Sequence, residues 1–309
     1  MTPEISIIIP TKNGKKHLEQ TLPETIKACR NASVKTEIIV VDDNSEDGTL
    51  KLKKDYPQIK FLKNPSKGVC SARNRGVLES NGNILLFIDN DVFLNEDFFA
   101  PTLKYFMESF FAAACCGYSF LDGHQLDGVK TLSWSKGFPR FTGNILNDKL
   151  KNGEEYLSFG VQGAYFFCSK EKFKLLNGFD TLLEPYMLEE TDLAYRGLKR
   201  GWKINYIAGT KPLHKCGGTI QSKTNPKTKF LSKRNRYIFI WKNISDPFLL
   251  ASHLFWLILR LPLDFKAILA AGGKIKEILI KRKQEKAFIR FADREILLQS
   301  KQQRGKYAQ

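Results

Sequence analysis

The chain of 309 residues is 42% hydrophobic and 12% aromatic, enough for a core of ordinary size and a smaller second unit, and too apolar for a disordered chain. Its 49 Lys and Arg against 32 Asp and Glu leave a formal charge of +17, which calls for an anionic partner: nucleic acid, a membrane surface or a phosphorylated substrate. Six cysteines with no CxxC pair argue against a disulfide framework and read as reduced thiols.

The opening MTPEISIIIPT enters a strand-like run with no charged-then-apolar leader, so a cytoplasmic location is expected. ISIIIP (5–10) reads as a strand, Leu18, Leu22, Ile26 and Cys29 recur at helical spacing, and EIIVVDD (37–43) reads as the next strand. A helix over 47–54, a short strand over 59–63, a helix over 70–80 and the strand NILLFID (83–89) follow. Strands apolar on both faces and separated by helices predict an α/β fold with a parallel sheet, in which ligands bind beyond the carboxyl ends of the strands. Those ends carry Thr11 and Asn13, Asp42 and Asp43, and Asp89 and Asp91.

From about 95 to 160 the pattern weakens, and LSWSKGFPRF reads as a flexible wall or loop. Regular patterning resumes over 160–180, continues through the acidic EPYMLEETDLAYRGLKRGW (184–202), and reaches a strand around KINYIA (203–208) that leads to His214. FLLASHLFWLILRLPL (248–263) is dense in Leu and aromatics but shorter than the roughly 20 residues that span a bilayer. Asp246, His253, Arg260 and Asp264 form one polar stripe on it. Residues 265–309 hold 12 Lys and Arg against 4 Asp and Glu. This tail reads as a helix lying on an anionic membrane surface; packing on the core is the alternative.

Asp-Asn-Asp after a strand is an ordinary turn former. Two carboxylate-bearing strand ends converging on one crevice would repel, however, and a divalent metal relieves that repulsion while keeping positions open for substrate phosphates. No GxxxxGK[ST] or GxGxxG loop is present to cradle phosphates in another way. A nucleotidyltransferase would want a Gly-rich loop where TKNGKK stands, and a nucleic-acid binder would want basic residues interleaved with aromatics in a recognised module. Neither pattern is found, so no nucleic-acid partner is expected.

SIIIPTKNG, EIIVVDDNSEDGT, KGVCSARNRGVLESNGNILLFIDND, LEETDLAYRGLKRGW and His214 followed by a GGT run resemble, in that order, family 2 glycosyltransferases of the GT-A fold. The resemblance covers about residues 4–240; EETDL with RNRYIFIWKN downstream is most similar to bacterial rhamnosyltransferase-type enzymes of surface polysaccharide assembly. It implies a Rossmann-like, mostly parallel sheet flanked by helices over residues 1–240 and a basic helical extension over 241–309. It further implies an inverting, Mg²⁺- or Mn²⁺-dependent transfer from a UDP-, dTDP- or GDP-sugar to a glycan or lipid-linked acceptor.

Carried over by position, Pro10, Thr11 and Asn13 frame the nucleoside pocket, and either Asp42 or Asp43 receives the base N–H. Lys67, Gly68, Arg73 and Asn74 lie beside the nucleotide, with a surface-helix role the alternative for Arg73. Asp89-Asn90-Asp91 matches the DXD element, Asp91 as metal ligand and Asp89 reaching ribose or metal; His214 completes the metal shell or is structural. Glu190 aligns with the catalytic base, flanked by Glu189 and Asp192, although an acidic first helical turn is common without catalysis. Gly160 to Ala164, including Gln162 and Gly163, faces donor sugar and acceptor, and Trp134 either stacks on an acceptor or belongs to the core.

Overall fold

The computed structural model describes residues 4–102, 111–115, 117–126, 128–145, 156–215 and 225–307. The apolar runs become β1 (Ile5–Thr11), β2 (Thr36–Asp42), β3 (Lys60–Lys63) and β4 (Ile84–Ile88), which pair in parallel in the order β4-β1-β2-β3. Helices α1 (Lys15–Asn31) and α2 (Val69–Leu78) and a 3-10 turn at Thr49–Lys54 connect them. β1 and β4 are buried throughout, as expected of parallel strands covered on both faces.

Beyond β4 the sheet continues through strands that are remote in sequence. β6 (Ala112–Cys115), β10 (Tyr156–Ser158), β11 (Tyr165–Ser169) and β12 (Ile204–Ile207) complete the eight-stranded order β10-β12-β6-β11-β4-β1-β2-β3, with β11 antiparallel to both of its neighbours. The fold is thus a mostly parallel α/β sheet flanked by helices. A second, three-stranded sheet joins β5 (Val92–Phe93), β7 (Tyr118–Ser119) and β13 (Leu213–His214). It brings His214 opposite Val92, one residue past Asp91.

The LSWSKGFPRF stretch corrects the loop expectation. It forms a hairpin of β8 (Val129–Ser135) and β9 (Phe138–Ile145), turned by Lys136 and Gly137 at φ of 51° and 75°. Phe138 is buried in the core cluster, and Trp134 sits against the C-terminal helices with its indole N–H 3.3 Å from Ser252 Oγ, so it is packing rather than an acceptor platform.

After α3 (Lys170–Leu175) and α4 (Glu189–Lys199), the chain ends in α5 (Pro226–Asn243), α6 (Pro247–Gly272), α7 (Ile275–Lys286) and α8 (Asp293–Tyr307). Asp293 locks this extension to α4: its carboxylate accepts from Tyr195 Oη and Lys199 Nζ, both at 2.6 Å, and from the backbone N–H of Ser245 and Asp246. The four described cysteines are free thiols.

Candidate active site

The carboxyl ends of β1, β2 and β4 form one crevice, and side-chain parity divides it. Ile8 and Val41 face α2, where a Cβ on Gly76 would meet both, so Pro10 and Asp43 face the same side. Asp43 accepts from the Gly68 N–H at 3.0 Å and from Asn64 Nδ2 at 2.8 Å. Asp42 turns to the other side, accepting from the Ser45 N–H at 3.3 Å while its Oδ1 is buried with no hydrogen-bond partner. Gly68 is held at φ 121°, and a Cβ there would lie 1.4 Å from Glu184 Oε2, so only glycine admits that carboxyl against the loop. Glu184 accepts from the Ser71 N–H at 2.8 Å, and burial pushes its carboxyl up to about 7. Lys67 is exposed at the rim.

Several residues expected to meet nucleotide are instead spent on the frame. Asn90 donates to Thr11 Oγ1 at 2.7 Å and so ties the end of β4 to that of β1. Asn13, at φ 50°, accepts from the Glu46 N–H at 2.8 Å and donates its own N–H to Ser45 Oγ. Asn74 uses both ends of its amide on the backbone of Phe179, which removes it from the nucleotide-contacting set.

Arg73 is not a surface residue. Only 2% of its side chain is exposed, and its guanidinium reaches Asp89 Oδ1 at 2.9 Å, the Gly163 carbonyl at 2.9 Å and Glu189 Oε1 at 3.3 Å. It therefore joins the strand end carrying the two aspartates to the N-terminus of α4. Asp89, Asp91 and His214 each offer a ligand atom within 4.8 Å of the others. His214 Nε2 lies 3.2 Å from Asp91 Oδ1, while the Asp91 backbone carbonyl accepts from the Lys215 N–H. Two carboxylates and an imidazole, with Asp89 still one-third exposed, suit a hard divalent ion that keeps open positions, Mn²⁺ in particular tolerating the nitrogen. The Cys216-Gly217-Gly218 run lies outside the described residues.

Glu190 is half-buried, and Gly163 faces it, with the carboxyl carbon 3.4 Å from where a Cβ would stand. Met187 and Leu188 precede it in left-handed conformations, φ 87° and 70°. For two bulky residues that arrangement is costly and persists only when surroundings enforce it. Asn235, fully buried on α5, enforces it by donating to the carbonyls of Leu183, Tyr186 and Met187. Arg234 beside it donates to the Glu184 carbonyl. Sequence reasoning used RNRYIFIWKN only for a family likeness and missed this support; the polar Arg234-Asn235 step ahead of the apolar YIFIW run was the available signal.

Two neighbours of Glu190 correct the expectation that they face donor or acceptor. Asp192 has no exposed surface and is bound by Arg196, Lys242 and Asn243 inside the protein. Gln162 is likewise buried and donates to the Gly128 carbonyl, leaving Gly163 and Ala164 as the open part of that segment. Glu189 points inward to Arg73; burial, with the Glu190 charge next, pushes its carboxyl up to about 8. A carboxyl raised in the folded state contributes stability that is complete below its unfolded value of 4.5 and is lost as pH rises through about 8. Glu189→Gln should therefore flatten the decline of unfolding free energy across that window by up to ~1.4 kcal/mol per pH unit, measured by denaturant titration; an unchanged slope would contradict a raised Glu189.

The glycosyl transferase family 2 model matches residues 6–174, more than half the chain. A putative teichuronic acid biosynthesis glycosyltransferase, TuaG of Bacillus subtilis, is 30% identical over 133 residues, covering 40% of this chain and 51% of that protein. The chain spans about half the length of the curated relatives it matches first. Among solved structures, GalNAc-T7 with UDP, GalNAc and Mn²⁺ superposes with a TM-score of 0.61 at 18% identity, over 78% of this chain and 48% of that one. The mannosyltransferase PcManGT from Pyrobaculum calidifontis, with GDP-Man and Mn²⁺, does so at 0.53 and 14%, over 98% and 87%. These structures carry the likeness of fold, and the matched span, which holds every strand end of the crevice, carries the family: the chain belongs to glycosyl transferase family 2.

Proposed function

We propose that the protein moves a sugar from a nucleotide-diphosphate donor (UDP-, dTDP- or GDP-linked) to a hydroxyl of a glycan or lipid-linked acceptor, with inversion, in assembly of a cell-surface polysaccharide. The observation that carries this reading is the meeting of Glu190, across Gly163, with the strand end that bears Asp89 and Asp91, beside which β13 sets His214. A base and a cation-binding group on opposite sides of one reacting carbon are what an in-line displacement needs. The name of the Bacillus relative supports the envelope context.

In this mechanism Asp43, on the face shared with Pro10 and Gly68, accepts the base N–H. Lys67 at the rim neutralises phosphate. Glu190 takes the proton of the acceptor hydroxyl as its oxygen bonds to the anomeric carbon, and the bond from that carbon to the diphosphate oxygen breaks, releasing the nucleoside diphosphate. Asp89, Asp91 and His214 would hold Mg²⁺ or Mn²⁺, whose charge when bound stabilises the diphosphate. Arg73 fixes the spacing between the two halves of the site. The catalytic unit is residues 1–240, with 241–309 as a helical extension, and the enzyme works in the cytoplasm, peripheral to an anionic membrane surface and without nucleic acid.

The test is thermal unfolding against UDP, dTDP, GDP, CDP and CMP, each with and without Mn²⁺, in wild type and Asp91→Ala. One nucleoside diphosphate at 100 times its dissociation constant should stabilise the wild type by ~2.7 kcal/mol, only with metal and only with Asp91. No shift with any nucleotide would overturn the donor-site assignment.

A further inference from the structure

The polar stripe of α6 faces the protein and its apolar side faces out, the reverse of an ordinary surface helix. His253 accepts from the Trp241 indole N–H at 3.1 Å and meets the Gly137 carbonyl at 2.9 Å; Asp264 accepts from Tyr237 Oη at 2.9 Å and pairs with Lys233 at 2.5 Å. Asp246 caps the helix by accepting from the N–H groups of Phe248 and Leu249. Ala267 and Ala271 continue the buried seam. On the other side Ile258 is 72% and Leu263 75% exposed, and Phe255, Leu259, Phe265 and Leu269 are each more than half exposed.

Monomeric proteins rarely leave so continuous an apolar surface in water. His253 and Asp264 hold α6 to the rest of the protein along its seam, and among the described residues no helix is long and apolar enough to cross a bilayer. What covers the face must come to it.

We propose that the outer face of α6, continued by Ile275, Leu279 and Ile280 of α7, docks flat on an anionic lipid bilayer. Charge selects the occupant. Across α6 and α7, from Pro247 to Lys286, the acidic residues are Asp264, which is buried, Glu285, which pairs with Arg200, and the exposed Glu277, whereas Lys266, Lys276, Lys283 and Lys286 all stand exposed. A second copy would bring another +17 chain against this one, while anionic headgroups satisfy the lysines as the apolar side chains enter the acyl boundary. This face is the surface behind the membrane location proposed above and rests on that reading.

The experiment is flotation of the full chain with phosphatidylcholine vesicles, with and without phosphatidylglycerol, at low and high salt. Wild type should float with the anionic vesicles and be partly released by salt. Ile258→Ser/Leu263→Ser should lower partitioning at least about tenfold, and Lys266→Glu/Lys276→Glu should lower it by at least about fivefold per position, on anionic vesicles alone. All four side chains, Ile258, Leu263, Lys266 and Lys276, are exposed, so both variants should keep the wild-type melting temperature and any Mn²⁺-dependent nucleotide shift. That shift separates the two readings: its survival alongside absent flotation overturns the docking face while the donor site stands. Equal flotation of wild type and Ile258→Ser/Leu263→Ser also overturns it, as does a concentration-dependent dimer in sedimentation velocity that this pair abolishes, which assigns the face to a second copy.

Discussion

Glu190→Gln should reduce sugar transfer by about 10²- to 10⁴-fold, the usual contribution of a positioned general base, while leaving metal-dependent nucleotide binding intact. The substitution keeps the size and an acceptor oxygen while removing the negative charge and with it the ability to accept the proton. Glu190 approaches Gly163 and the Thr191 hydroxyl, which donates to its Oε1 at 3.2 Å, and takes no part in the Arg73 bridge, so the donor side should not move. Steady-state kinetics should show the loss in kcat with KM for the nucleotide sugar little changed. Turnover equal to wild type would remove Glu190 from the mechanism. Arg73→Lys provides the contrast: a point charge cannot hold Asp89, Glu189 and the Gly163 carbonyl together, so it should weaken nucleotide binding and turnover jointly.

The elements of the crevice were legible because each is local. An unbroken apolar run ending in oxygen-bearing residues marks a parallel strand and its carboxyl end, and β1, β2 and β4 lie within a residue or two of where the pattern put them. What misled were charges whose partners lie far away in sequence. Asp192, beside Glu190, looks available to substrate until Lys242 and Asn243 arrive from the end of α5. The stripe of His253, Arg260 and Asp264 fits a helix lying on a membrane or one packed on the core, because the local sequence does not show whether its polar groups find partners. Trp241, Tyr237 and Lys233 from α5 make the buried placement affordable, and the apolar side is left outside. Arg73 is the same case: periodicity puts an arginine on a helix without saying that Asp89 and Glu189 wait beneath it.

The buried charge cluster under α4 carries the largest expected effect on stability. Lys242, 1% exposed, pairs with Asp180 at 2.5 Å and Asp192 at 2.7 Å, and Arg196 and Lys281 complete the cluster. Burial, the largest single influence, would push both aspartates up; Lys242 together with Lys281 at Asp180 and with Arg196 at Asp192 outweighs it and holds them below the usual carboxylate range. Lys242→Ala leaves two buried carboxylates short of their main counter-charge and should destabilise by about 3–5 kcal/mol. Depressed carboxylates contribute stability that is present above their unfolded value of 3.8 and lost as pH falls through the folded one, so the wild type should withstand acid until below that point. In Lys242→Ala the same groups should take up protons earlier on acidification and bring acid unfolding to higher pH. The double replacement Lys242→Met/Asp180→Asn removes one buried charge of each sign and leaves Asp192 paired with Arg196, so it should recover part of the loss, a coupling that only residues in one network produce. If the double variant were as unstable as the sum of its parts, the cluster would not be acting as a unit.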